Sequence, residues 1–137
     1  MKYQLTKRCE VAGAHRLGLS YKSPCENLHG HNWIIHVSVE GSCLDINGML
    51  IDFKHIKEVV NRLDHANINE VVSVNPTAEN IAKWICNSVQ TKINQQWDDW
   101  GNDSMELIPN KTSYEDRPKV YKVTVQESEG NVACYMI

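Results

Sequence analysis

Cys25, His29 and His31 lie within seven positions of one another in "CENLHGHNW". A thiol and two imidazoles so close together can hold a metal or move protons. His29 and His31 are two apart, so on an extended chain both point the same way. That is the parity of Trp33, Ile35, Val37 and Val39 in "HNWIIHVSVE", an apolar row and therefore the inward one. His15 occupies the apolar parity of an earlier segment, one residue beyond "AGA", whose small side chains would leave space beside it. Gly30 would let the backbone bend or approach closely. Three neutral imidazoles on the inner side of one sheet suit a catalytic zinc, which takes three protein ligands and keeps a fourth position open. The plainer reading of each histidine alone is a hydrogen-bonded core or surface residue. His36 falls on the outward parity and His55 stands next to Lys54 on a helix surface, so neither joins the set.

Three other groups carry possible chemistry. Cys25, between Pro24 and Glu26-Asn27, sits in a polar loop, which disfavours a buried hydrophobe. Spacing leaves two roles open for it: a fourth ligand that closes a structural site, or a thiolate base. Asp64-His65 puts an acid beside an imidazole at the end of a helix, a pairing that serves as a surface cap or as a proton relay. Glu127 ends the row Tyr121, Val123, Val125. A carboxylate on a buried face needs a partner. An internal Lys or Arg would do, as would a ligand offering two adjacent N–H donors.

These residues need elements to position them. "YQLTKRCEVAGAH" (3–15) has Tyr3, Leu5, Cys9 and Val11 on one parity and predicts a strand, as does 31–40. Asn47-Gly48 marks a tight turn. "DFKHIKEVVNRL" (52–63) spaces Phe53, Ile56, Val59, Val60 and Leu63 as a helix does. "NPTAENIAKWICNSVQTKI" (75–93) repeats Ile81, Ile85, Val89 and Ile93, with Asn75 or Thr77 as cap and Pro76 in the first turn. Strands are expected at 104–110, 119–128 and 132–137, with a polar stretch from Trp97 to Pro118. Strands joined by short turns, with helices on one face, predict an antiparallel α+β layer.

The 137 residues suit a single domain, 1–137, large enough to be stable without a metal staple. A net charge of -3 with interspersed signs offers no nucleic-acid stripe. Five scattered cysteines imply free thiols in a reducing compartment. No apolar run suggests a leader or a membrane span. A soluble cytoplasmic protein is expected.

Taken together, "AHRL", "CENLHGHNW", "IDF", "LDHANIN", "NPTAENIAKW" and "VQES" resemble the 6-pyruvoyltetrahydropterin synthase superfamily over roughly positions 3 to 135. They are closest to its bacterial branch, the 6-carboxytetrahydropterin synthases of queuosine and deazapurine biosynthesis, whose short Cys-to-His spacing this chain shares. The resemblance implies a T-fold, a four-stranded antiparallel sheet with two helices on one face. Trimers of it form a barrel and stack into a hexamer. It implies His15, His29 and His31 as zinc ligands, Cys25 as catalytic thiol, and Asp64 and His65 as the pair that works with it from a neighbouring subunit. Glu127 would anchor the pterin edge. The implied substrate is 7,8-dihydroneopterin triphosphate. The sister reaction to a pyruvoyl product uses the same residues, and a non-catalytic zinc module is the reading from another class.

Overall fold

The computed structural model describes residues 1–103 and 116–137. The chain runs β1 (Tyr3–His15), β2 (His29–Gly41), α1 (Phe53–Asn61), β3 (Ala66–Asn67), α2 (Ala78–Asp103), β4 (Lys119–Ser128) and β5 (Asn131–Met136), with single 3-10 turns at Pro24–Glu26 and Ile68–Glu70. The sheet order is β3-β1-β2-β4-β5. The four long strands pair antiparallel, as expected. Two-residue β3 adds a fifth strand, parallel to β1, that the sequence does not announce. The strand expected at 104–110 lies outside the described residues.

One face of the sheet is apolar because the strands alternate. Cys9, Val11, Trp33, Ile35, Val37, Val39, Val123 and Val125 are buried on it. The helices cover that face with Ile56, Val59 and Val60 of α1 and Ile81, Ile85, Cys86, Val89 and Ile93 of α2. Asp52 stands just before α1 and its carboxylate accepts from Lys54 N at 2.9 Å, an N-cap that typically contributes about 1 kcal/mol. Thr77 caps α2, its Oγ1 accepting from Asn80 N at 3.2 Å. Pro76 therefore precedes the helix rather than entering its first turn, and α2 runs ten residues past the expected end at 93.

Two irregularities in β4 matter. The pairing slips between Ser38 and Val39, so Val120 rather than Tyr121 joins the buried row. A second slip leaves Glu127 between Gln126, opposite Val132, and Ser128, opposite Asn131. An extra residue of this kind re-aims its side chain.

The glycines also depart from expectation. The space at Gly13 is not left for His15, since a Cβ there would stand 2.7 Å from the Leu63 carbonyl oxygen and 3.0 Å from Ile68 Cδ1. Gly13 instead lets the end of α1 and the β3 segment close onto β1. Gly30 lies in regular pairing with Ala14 and crowds nothing, a Cβ meeting only Gly13 O at 3.9 Å. Gly13→Ala is expected to cost about 1–3 kcal/mol, as overpacking against a rigid neighbour does. Chemical denaturation checks this; an unchanged midpoint would contradict the tight approach.

Candidate metal centre

The register of β1 and β2 builds the centre. His15 lies directly opposite His29, and His31 follows two residues along on the same face. The ring centroids are 4.7 Å apart for His15–His29, 4.9 Å for His29–His31 and 5.3 Å for His15–His31. Trp33 forms the floor. Its ring meets His15 and His31 edge-on at 4.9 and 5.1 Å, and its indole N–H donates to Gly13 O at 3.0 Å.

Two backbone carbonyls decide which nitrogen of the His15 and His29 rings is free. His15 Nδ1 lies 2.8 Å from Pro76 O, and His29 Nδ1 lies 2.7 Å from Asn27 O. A carbonyl only accepts, so each Nδ1 carries the proton and each Nε2 keeps a lone pair. His15 Nε2 and His31 Nε2 are buried without an aligned hydrogen-bond partner. Burial is the main reason the His31 pKa falls below the ordinary imidazole value; Glu127 opposes the shift, while His15 and His29 add to it. The neutral, ligating form is thereby favoured.

Glu127 completes the group. Its Oε1 approaches His31 Nε2 at 2.9 Å and His15 Nε2 at 3.3 Å, without the alignment of a hydrogen bond to either. Among the described residues no lysine or arginine pairs with this carboxylate, so the internal ion pair considered from sequence is not made. One ligand atom from each of His15, His29, His31 and Glu127 falls within 4.8 Å of the others. Orphaned imidazole nitrogens and a carboxylate oxygen converging in this way fit zinc. An open hollow of about 340 Å³ adjoins, lined by His15, Glu127, Thr77, Glu79 and Ala133 among others.

Cys25 is outside that group. It occupies the 3-10 turn Pro24–Glu26 and is half-buried. The Asp64-His65 corner hangs on β1, Ala12 N donating to Asp64 Oδ1 at 2.9 Å and His65 N to Ala12 O at 2.6 Å. His65 has φ 51°, the left-handed region, and its side chain is 85% exposed, 3.7 Å from Asp64 Oδ2. His36 and His55 stay apart, His55 pairing with Glu58. Sequence reasoning missed the Pro76 and Asn27 carbonyls, because a backbone acceptor has no residue signature.

Comparison with known proteins covers nearly the whole chain. The family model described as 6-pyruvoyl tetrahydropterin synthase matches residues 4–137. A Pyrococcus horikoshii relative, provisionally named a 6-carboxy-5,6,7,8-tetrahydropterin synthase, is 43% identical over 56 residues. That match spans 41% of this chain and only 35% of the relative. The dihydroneopterin monophosphate aldolase of Pyrococcus furiosus is 35% identical over 97 residues, covering 68% of this chain and 80% of its own length. The solved Caenorhabditis elegans 6-pyruvoyl tetrahydropterin synthase superposes with a TM-score of 0.65 at 22% identity, covering 100% of this chain and 96% of that one. At that identity the likeness speaks for the fold, an α+β T-fold.

Proposed function

The chain belongs to the 6-pyruvoyl tetrahydropterin synthase family, and we propose that it is a zinc-dependent carbon–carbon lyase of queuosine and deazapurine biosynthesis. It would convert 7,8-dihydroneopterin triphosphate and water to 6-carboxy-5,6,7,8-tetrahydropterin, releasing acetaldehyde and triphosphate. The observation that carries this reading is the convergence of His15, His29 and His31, two of them with Nδ1 tied to carbonyls, on one point beside an open hollow.

Zinc held by the three histidines would polarise an oxygen of the substrate side chain. The protein's own residues do the rest. Cys25, as thiolate, takes a proton from that side chain, and His65, oriented by Asp64, passes protons on. Glu127 offers its two oxygens to adjacent N–H donors of the pterin edge, which fixes the side chain over the metal. No redox cofactor is required, since hydride equivalents move within the substrate.

Assembly completes the site. The exposed His65 projects beside the edge strand β3, which supports its serving Cys25 of a neighbouring copy in a barrel of three, stacked as a hexamer. The domain would act as one unit over 1–137. Free thiols at all five cysteines support a cytoplasmic location. Among the described residues no helix is long and apolar enough to cross a membrane.

Two related reactions compete. The sister synthase stops at a 6-pyruvoyl product, and the Pyrococcus furiosus relative's name supports an aldolase acting on a monophosphate. The three residues between Cys25 and His29 favour the carboxy branch. Removing metal with a strong chelator should abolish turnover and leave the circular dichroism spectrum folded. Turnover by metal-free protein would overturn the reading, and unfolding on chelation would make the metal structural.

A further inference from the structure

The motifs "LDHANIN" and "NPTAEN" contain two asparagines that the proposed chemistry leaves without a role, Asn69 and Asn75. Each carboxamide grips one residue of the segment that follows β1. Asn69 Oδ1 accepts from Arg16 N at 2.8 Å while its Nδ2 donates to Arg16 O at 2.9 Å. Asn75 does the same to Gly18, at 2.9 and 3.0 Å. Residues two apart on an extended chain present their backbone groups on one side, so the two side chains stand where a neighbouring strand would stand.

The opposite edge of the segment is engaged as well. Leu17 N points the other way and donates to Cys25 O at 2.8 Å. Three residues thus connect His15, on one side in sequence, with the turn that carries Cys25. Asn75 also neighbours Pro76, whose carbonyl receives the His15 Nδ1 proton. Asn75 is itself held from α2, its carbonyl accepting from Asn80 Nδ2 at 2.9 Å and from Thr77 N at 2.8 Å.

We propose that Asn69 and Asn75 are positioning residues that set Cys25 and His15 in register with each other through backbone 16–18. Both carboxamides are taken up by the backbone of Arg16 and Gly18. They fix the separation between the thiol and the metal ligands, and Asn75 fixes the tautomer of His15. This rests on the reading of His15 as a metal ligand and Cys25 as a catalytic thiol.

A built-in control separates positioning from plain stability. Gln90 makes a comparable two-point grip on the chain entering β4, its Nε2 donating to Pro118 O at 3.0 Å and its Oε1 accepting from Val120 N at 2.9 Å. Asn69→Ala, Asn75→Ala and Gln90→Ala in the full chain would be compared by zinc competition against a chromophoric chelator, by kcat and KM, and by Tm. The proposal expects all three to lower Tm. Only the asparagine variants should lose zinc affinity, by about 10–100-fold as displaced supporting groups do, with the kinetic loss in kcat. In metal-free protein, ¹⁵N shifts of His15 should show tautomer mixing for Asn75→Ala alone. Should the alanine variants not fold, Asn69→Asp and Asn75→Asp keep size and acceptor and delete the donor. Zinc affinity and kcat falling no further than in Gln90→Ala would overturn the proposal. If the unmodified chain itself binds no zinc, the functional reading fails instead.

Discussion

Cys25→Ala is expected to lower kcat by about 10²–10⁴-fold, the range for losing a positioned proton acceptor, while bound zinc stays in place. The first half follows from where the thiol sits. Ser23 Oγ accepts from Cys25 N at 3.2 Å and Leu17 N donates to Cys25 O at 2.8 Å, so the backbone is fixed on both sides. The second half follows from the imidazole nitrogens of His15, His29 and His31, which converge without the Cys25 thiol. A fourth ligand from Cys25 would close the centre and leave no position for substrate. Metal analysis of the purified variant alongside its kinetics checks both halves. Zinc lost together with activity would make Cys25 a ligand.

His65→Gly is expected to reduce kcat by a similar factor, about 10²–10⁴, without a matching loss of stability. His65 adopts φ 51°, a region that costs a non-glycine residue of order 1 kcal/mol or more and glycine little. Glycine gives back part of that gain through the greater freedom of its unfolded chain. The two effects nearly cancel, leaving the variant within about 1 kcal/mol of the parent. The backbone bond from His65 N to Ala12 O survives the change. An 85% exposed imidazole on a left-handed backbone position whose removal leaves stability unchanged would be one held for chemistry. Parallel kinetics and urea titration test this, and a large drop in stability with activity retained would reduce His65 to a structural corner.

Alternation was enough to place His15, His29 and His31 on one face, because the side-chain period of a strand is two and the apolar rows were clear. It could not give the cross-strand register that puts His15 opposite His29, since pairing depends on residues far apart in sequence. Alternation also failed at Tyr121, where one slipped residue hands the buried position to Val120. β3 is two residues long, too short to carry any period, and it is defined only by its fit against Gly13 and Ala14. The helical stripe located α2 but not its end, as polar positions 94–96 continue the helix without extending the pattern. Glu127 was recognised as a carboxylate needing a partner; that the nearest groups are His15 and His31 required the fold.

The central claim is a carbon–carbon lyase built on a three-histidine zinc centre. Zinc-loaded protein incubated with 7,8-dihydroneopterin triphosphate, with acetaldehyde and the pterin product both assayed, tests it most directly. Acetaldehyde formed in step with 6-carboxy-5,6,7,8-tetrahydropterin is the predicted result. A 6-pyruvoyl product without acetaldehyde, or no turnover at all, would contradict it.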